Sequence, residues 1–255
     1  MPRPRVYKTQ AIVLRQRKLG EADKIITLYC AHLGKVDAVA KGVRRTKSRL
    51  AGHLEPLTLG SYLLAEGREL DIVTQAETVE AFSALRGDLD RLSRGLYCAE
   101  LLDRLTPERS EGNRAFRLLG ETLALLDREP ELDLVVRRFE LLLLDDLGFR
   151  PSLEGCCVCG RRLEPIDNYW SPDGGGVVCP ECASEGLSLE SLSLNALKVL
   201  RLLSRATYAE ASRVRLSREL AAEIEARIST HLRYVLEREV RSARFIETLR
   251  RDAGG

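Results

Sequence analysis

Near residue 80 the hydrophobic repeat of this chain changes from a period of two to one of about 3.6, and that change divides what its two parts can fold into. Before it, Val6–Lys18, Lys24–Cys30, Lys35–Gly42, Leu57–Ala65 and Leu70–Thr78 are short β-prone runs. Turn signals separate them: Leu19-Gly20-Glu21, Leu33-Gly34 and Glu66-Gly67. In the third run Val36, Ala38 and Ala40 point one way while Lys35, Asp37, Val39 and Lys41 point the other, so one face packs and the other carries cations. Five short strands with no helical stretch long enough for a βαβ unit predict a small closed barrel over residues 1–80. The OB-fold is the commonest such barrel that handles single strands.

Beyond the switch, Leu89, Leu92, Leu96, Leu101, Leu102 and Leu105 recur at helical spacing, as do Leu118, Leu119, Leu123, Leu125 and Leu126. Val135–Leu147 continues the pattern and Gly148 ends it. Leu194–Leu203 and Leu216–Leu249 are helical again, the second with Leu220, Ile224, Ile228, Leu232, Val235 and Leu236 on one stripe. The reading is therefore an α+β multidomain chain: a barrel, a helical domain over 81–255, and a cysteine-rich insert at 151–186.

The charge is as unevenly placed as the periodicity. The whole chain is nearly neutral at +2, yet residues 1–60 hold 13 basic and 4 acidic side chains, a local +9, so the remainder sums to −7. A merely solvated face mixes both signs, whereas a segregated field of one sign fits a polyphosphate backbone. The candidate DNA-binding residues are Arg15, Lys18, Lys24, Lys35, Lys41, Arg44, Arg45, Lys47 and Arg49. The last four belong to a basic loop or short helix on the barrel rim. Residues 61–155, with 12 basic and 20 acidic side chains, make a poor nucleic-acid face.

Five of the seven cysteines crowd between positions 156 and 182. Cys156-x-x-Cys159 and Cys179-x-x-Cys182, 19 residues apart, form two knuckles that place four thiolates around one ion. Four sulfurs suit a tetrahedral, structural Zn²⁺, with an iron–sulfur cluster as the runner-up occupant. Four protein ligands leave no open position for catalysis. Gly155 and Gly160 flank the first knuckle and Asp173-Gly174-Gly175-Gly176 turns a hairpin between the two. Cys157 is the odd one out, because its use would leave one residue before Cys159. Cys30 and Cys98 read as small core residues. Clustered cysteines without an export signal, and no apolar run near membrane-span length, predict a cytoplasmic protein with no membrane partner.

Enzymatic signatures do not emerge. His32, His53 and His231 lie far apart, with no candidate nucleophile paired to any of them, and there is neither a phosphate-binding G-x-x-x-x-G-K-[ST] loop nor an H-x-E beside the cysteines. Glu21 and Asp23 are possible nuclease carboxylates, but embedded among lysines they read as partners of those cations. The expectation is a non-enzyme, with a metal-dependent nuclease and an RNA-binding barrel-plus-ribbon protein as the alternatives.

Several motifs together carry a resemblance: Ala11-Ile-Val-Leu-Arg15, Leu19-Gly-Glu-Ala-Asp23, Ile26-Thr-Leu28, Gly34-Lys35 and Ala40-Lys-Gly42-x-Arg44-Arg45. Leu54-Glu-Pro56, Leu144-x-x-Leu147-Gly-Phe149, the knuckles and Leu236-x-x-x-Val240-x-Ser242-x-x-Phe245 extend it over nearly the whole chain. The sequence resembles the RecO family of bacterial recombination mediators, with the doubled Cys156-Cys157 as a departure. The resemblance implies an N-terminal OB-fold, a helical domain and an inserted zinc ribbon. It also implies binding of single- and double-stranded DNA, annealing of complementary strands, and work with RecR and RecF to load RecA onto strands covered by single-strand-binding protein. Arg238, Arg241 and Arg244, at three-residue spacing beside the apolar stripe of the last helix, are the expected contacts for the acidic, hydrophobic-ended tail of that protein.

Overall fold

A computed structural model describes residues 5–110, 113–184 and 188–252, the last fifteen by their backbone alone. The fold has two compact units, Met1–Leu132 and Asp133–Gly255.

In the first unit five strands close a barrel in the order β1-β2-β3-β5-β4, the OB arrangement. They are β1 (Val6–Leu19), β2 (Asp23–Cys30), β3 (Gly34–Ala40), β4 (Leu59–Ala65) and β5 (Asp71–Glu80). β3 alternates as its sequence requires, with Val36, Ala38 and Ala40 turned into a core that includes Val13, Ile26, Leu28, Tyr62 and Leu64. β1 does not alternate over Ala11–Leu14, nor does β2 over Ile25–Cys30; both are buried on two faces. The helices supply the second cover. After α1 (Ser83–Gly87), α2 (Leu89–Leu105) contacts β1, and α3 (Asn113–Arg128) contacts β1 and β2. Asp88 caps α2 through its side chain, which accepts from the backbone N–H groups of Asp90 and Arg91. Leu89 and Leu96 of the expected stripe are exposed; Cys98, Ala99, Leu101, Leu102 and Leu105 form the packed face instead.

β3 pairs with β5 only at Ala38 and Val39. Its other half is met by the segment after α2: the Arg109 N–H donates to the Lys35 carbonyl at 2.9 Å, and Glu108 bridges in parallel to Lys35. Gly34, with φ +61°, sits so close that a Cβ would lie 2.0 Å from the Ser110 carbonyl oxygen, leaving room for no other residue. Arg109 also reaches the fully buried Asp71 carboxylate at 2.9 Å, which accepts from the Tyr7 hydroxyl as well.

In the second unit α4 (Leu132–Asp146) leads to a three-stranded sheet in the order β7-β6-β8, made of β6 (Asn168–Ser171), β7 (Gly176–Val178) and β8 (Glu190–Leu192). α5 (Leu194–Leu203), α6 (Tyr208–Ala211) and α7 (Arg218–Asp252) follow. Ser193 caps α5 and donates its hydroxyl and backbone N–H to Glu223 of α7. Ile224, Ile228, Leu232 and Val235 of α7 are buried, as the stripe predicts.

Candidate nucleic-acid interface and metal centre

The strand register decides which expected cations meet. Lys18 pairs across to Lys24, and Lys24 to Ala40, so the β1–β2 turn and the exit of β3 lie side by side, with Lys41 one residue further on. The loop that follows is bound to that turn. The Arg44 guanidinium donates to the Gly20 and Glu21 carbonyls at 3.1 and 2.8 Å, and the Arg44 N–H to Ala22 at 2.9 Å. Asp23 accepts from the Gly42 N–H at 2.7 Å, so its carboxylate organises the loop's backbone. At the far end of the loop, a short 3-10 turn (Ala51–Leu54) is pinned to β5 by His53, whose Nδ1 accepts from the Thr78 N–H at 3.2 Å.

Lys18, Lys24, Lys41, Arg44, Arg45, Lys47 and Arg49 thus belong to one end of the barrel. Lys18, Lys41, Arg45, Lys47 and Arg49 are exposed and have no side-chain hydrogen bond or ion pair among the described residues. Lys24 donates to the Gln16 amide oxygen at 2.5 Å.

Arg15 and Lys35 are placed differently. Both are held by Asp103 of α2: Arg15 Nε donates to its carboxylate at 2.6 Å, and Lys35 Nζ to its backbone oxygen at 2.6 Å while lying 3.2 Å from its carboxylate. Lys35 retains only 13% side-chain exposure. These two cations fasten the barrel to its helical cover. Arg238, Arg241 and Arg244 lie outside the residues whose side chains are described.

In the ribbon, the thiol sulfurs of Cys156, Cys159, Cys179 and Cys182 all lie within 4.8 Å of one another, those of Cys159 and Cys179 at 4.0 Å. Zn–S bonds of about 2.3 Å in a tetrahedron put the sulfurs roughly 3.8 Å apart, so the four thiols fit such an ion. The Cys179 N–H donates to the Cys156 sulfur at 3.4 Å, and Arg161 Nε to the Cys159 sulfur at 3.4 Å. That Arg161 hydrogen bond pulls the Cys159 thiol down to about 6, whereas hydrogen bonds with the Cys159 and Cys179 sulfurs push Cys182 up to about 12. A doubly charged cation removes this conflict, since it lets all four sulfurs be thiolates together. Arg161 also pairs with Glu181, linking one knuckle to the other. Cys157 is outside the set; its sulfur faces Gly174 of the hairpin turn, and burial raises its thiol. Cys30 and Cys98 are both buried in the first unit.

The second unit also holds a groove of about 230 Å³ between α4 and the start of α7, lined by Leu134, Arg137, Leu216, Arg218 and Ile224 among others. Arg137, buried to 12% side-chain exposure, pairs through Nη1 with the fully buried Glu140 carboxylate at 3.2 Å, and Asp133 and Glu225 also line the groove.

Comparison with known proteins covers almost the whole chain. A family model described as Recombination protein O N terminal matches residues 4–82, and one described as Recombination protein O C terminal matches residues 86–244. Proteins named DNA repair protein RecO are similar over nearly their full lengths. That of Roseiflexus sp. (strain RS-1) is 42% identical over 248 residues, 97% of this chain and 87% of the relative. That of Dehalococcoides mccartyi (strain CBDB1) is 36% identical over 250 residues, 98% of each. That of Symbiobacterium thermophilum is 41% identical over 250 residues, 96% of this chain and 98% of the relative.

Proposed function

The chain belongs to the RecO family, and from that premise we propose that it is a DNA repair and recombination mediator acting by binding rather than by turnover. It binds single- and double-stranded DNA, anneals complementary strands and, with RecR and RecF, promotes loading of RecA onto strands covered by single-strand-binding protein. The observation that carries this reading is the convergence of Lys18, Lys24, Lys41, Arg44, Arg45, Lys47 and Arg49 at one end of the barrel. Unpaired cations on a turn and a bound loop present donors to phosphate oxygens at no cost in broken ion pairs. Arg15 and Lys35 support that surface from behind.

The cysteine site holds one structural Zn²⁺, which cross-links the two knuckles and so fixes the ribbon. The tail of single-strand-binding protein, acidic and apolar at its end, docks on the last helix through Arg238, Arg241 and Arg244, beside its apolar stripe. Arg238→Glu combined with Arg241→Glu is expected to weaken a labelled tail peptide at least tenfold, and equal affinity would move the partner elsewhere.

Annealing of complementary strands coated with single-strand-binding protein, without ATP, tests the function as a whole. The protein is expected to accelerate duplex formation and to leave both strands intact in Mg²⁺. Strand cleavage in Mg²⁺ would establish the nuclease instead, and a marked preference for RNA would establish an RNA-binding protein.

A further inference from the structure

Barrels that bind single strands commonly pair a cationic groove with exposed aromatic rings on which successive bases stack. In this barrel the three aromatic side chains are all used internally. Tyr29 and Tyr62 are 1% and 0% exposed, and the Tyr62 hydroxyl donates to the His53 carbonyl. Tyr7 is half-buried and donates its hydroxyl to the Asp71 carboxylate at 2.5 Å. The outer surface of β1 and β2, where a strand would ordinarily be laid across such a barrel, is covered as well. Ala11–Leu14 and Ile25–Cys30 are buried on both faces, α2 and α3 contact these strands, and Ile12 lies against Gly120 of α3. The cationic end is left uncovered, and its ammonium and guanidinium groups recognise phosphate oxygens irrespective of the base attached.

We propose that this end holds a DNA strand by its phosphates alone and leaves the bases unstacked by the protein, their pairing edges turned outward and free to meet a second strand. The inference rests on the DNA-binding reading above and deepens it: the ligand recognised is the polyphosphate chain itself. Annealing on such a surface requires no step in which bases are released. A complementary strand pairs with one already held, and the duplex phosphates remain ligands for the same cations.

The test compares a thymidine oligomer with an abasic oligomer of equal length, titrated into the full chain across a series of salt concentrations. Both are expected to bind within about twofold of each other. The five free cations should give slopes of log K against log salt of roughly −3.5, at about 0.7 per phosphate contact on single strands. Permanganate oxidation of the bound thymines should proceed at the rate of the free strand. Tenfold weaker binding of the abasic oligomer, or protection of the thymines, would overturn this inference and leave DNA binding standing. Binding of neither oligomer at low salt would overturn the DNA-binding reading and the inference with it.

Discussion

His231 is a ring held in one protonation state by its surroundings. It is 3% exposed, packs edge-on against Trp170 with centroids 5.8 Å apart, and meets the Phe149 carbonyl through Nε2 at 2.9 Å. The carbonyl is an acceptor, so Nε2 carries the proton, and the buried Nδ1 has no partner for a second one. Burial therefore lowers the affinity of the ring for a proton below the ordinary value of 6.5, against a smaller opposing effect of the Phe149 hydrogen bond. The unfolded chain then binds the proton more readily than the folded one, so the stability due to a neutral His231 is present above pH 6.5 and lost as pH falls below it. Amide-exchange protection of α7 around His231 is expected to drop between pH 7.5 and 5.5, and His231→Gln should flatten that dependence. An equal pH dependence in the variant would show that the ring is not the titrating group.

Elements show best what was legible beforehand and what was not. The alternation of Val36, Ala38 and Ala40 was enough to orient β3, and the C-x-x-C spacing was enough to gather four sulfurs. The apolar run Ala11–Leu14 and the stretch Ile25–Cys30, broken by Thr27 alone, carried the signal for two-sided burial, and hence for a helical cover on the barrel, but a simple strand reading passes over it. The pairing of Arg15 and Lys35 with Asp103 had no local signal, because it joins positions 88 and 68 residues apart. Removing that carboxylate separates support from binding. Asp103→Asn leaves Lys35 with a poorer partner and is expected to destabilise the first unit by about 1–3 kcal/mol, read by urea unfolding. DNA affinity should stay within twofold of wild type, whereas a substantial gain would mean that Arg15 and Lys35 bind phosphate once released.

The ribbon is an element with its own test. Elemental analysis should find about one zinc per chain, the stoichiometry of a closed four-cysteine site. Cys159→Ser is expected to lose the metal and to raise amide exchange in and around the ribbon while the barrel stays protected. Cys157→Ser should keep it. Iron in place of zinc, or loss of metal from Cys157→Ser, would contradict the assignment of metal or of ligands.

At the scale of the whole molecule, the uneven charge is the feature that the proposed function depends on. The +9 of the first sixty residues is not spread evenly over a barrel. Register and loop anchoring bring seven of its cations to one end, while two others lock the barrel to α2. The most direct test of that division is the salt dependence of single-stranded DNA binding by a Lys41/Arg45/Lys47/Arg49→Ser variant whose melting temperature matches wild type. Losing four phosphate contacts should weaken binding strongly at low salt and flatten the slope of log K against log salt by roughly 3, at about 0.7 per contact. An unchanged affinity and slope in the folded variant would place the DNA on another surface.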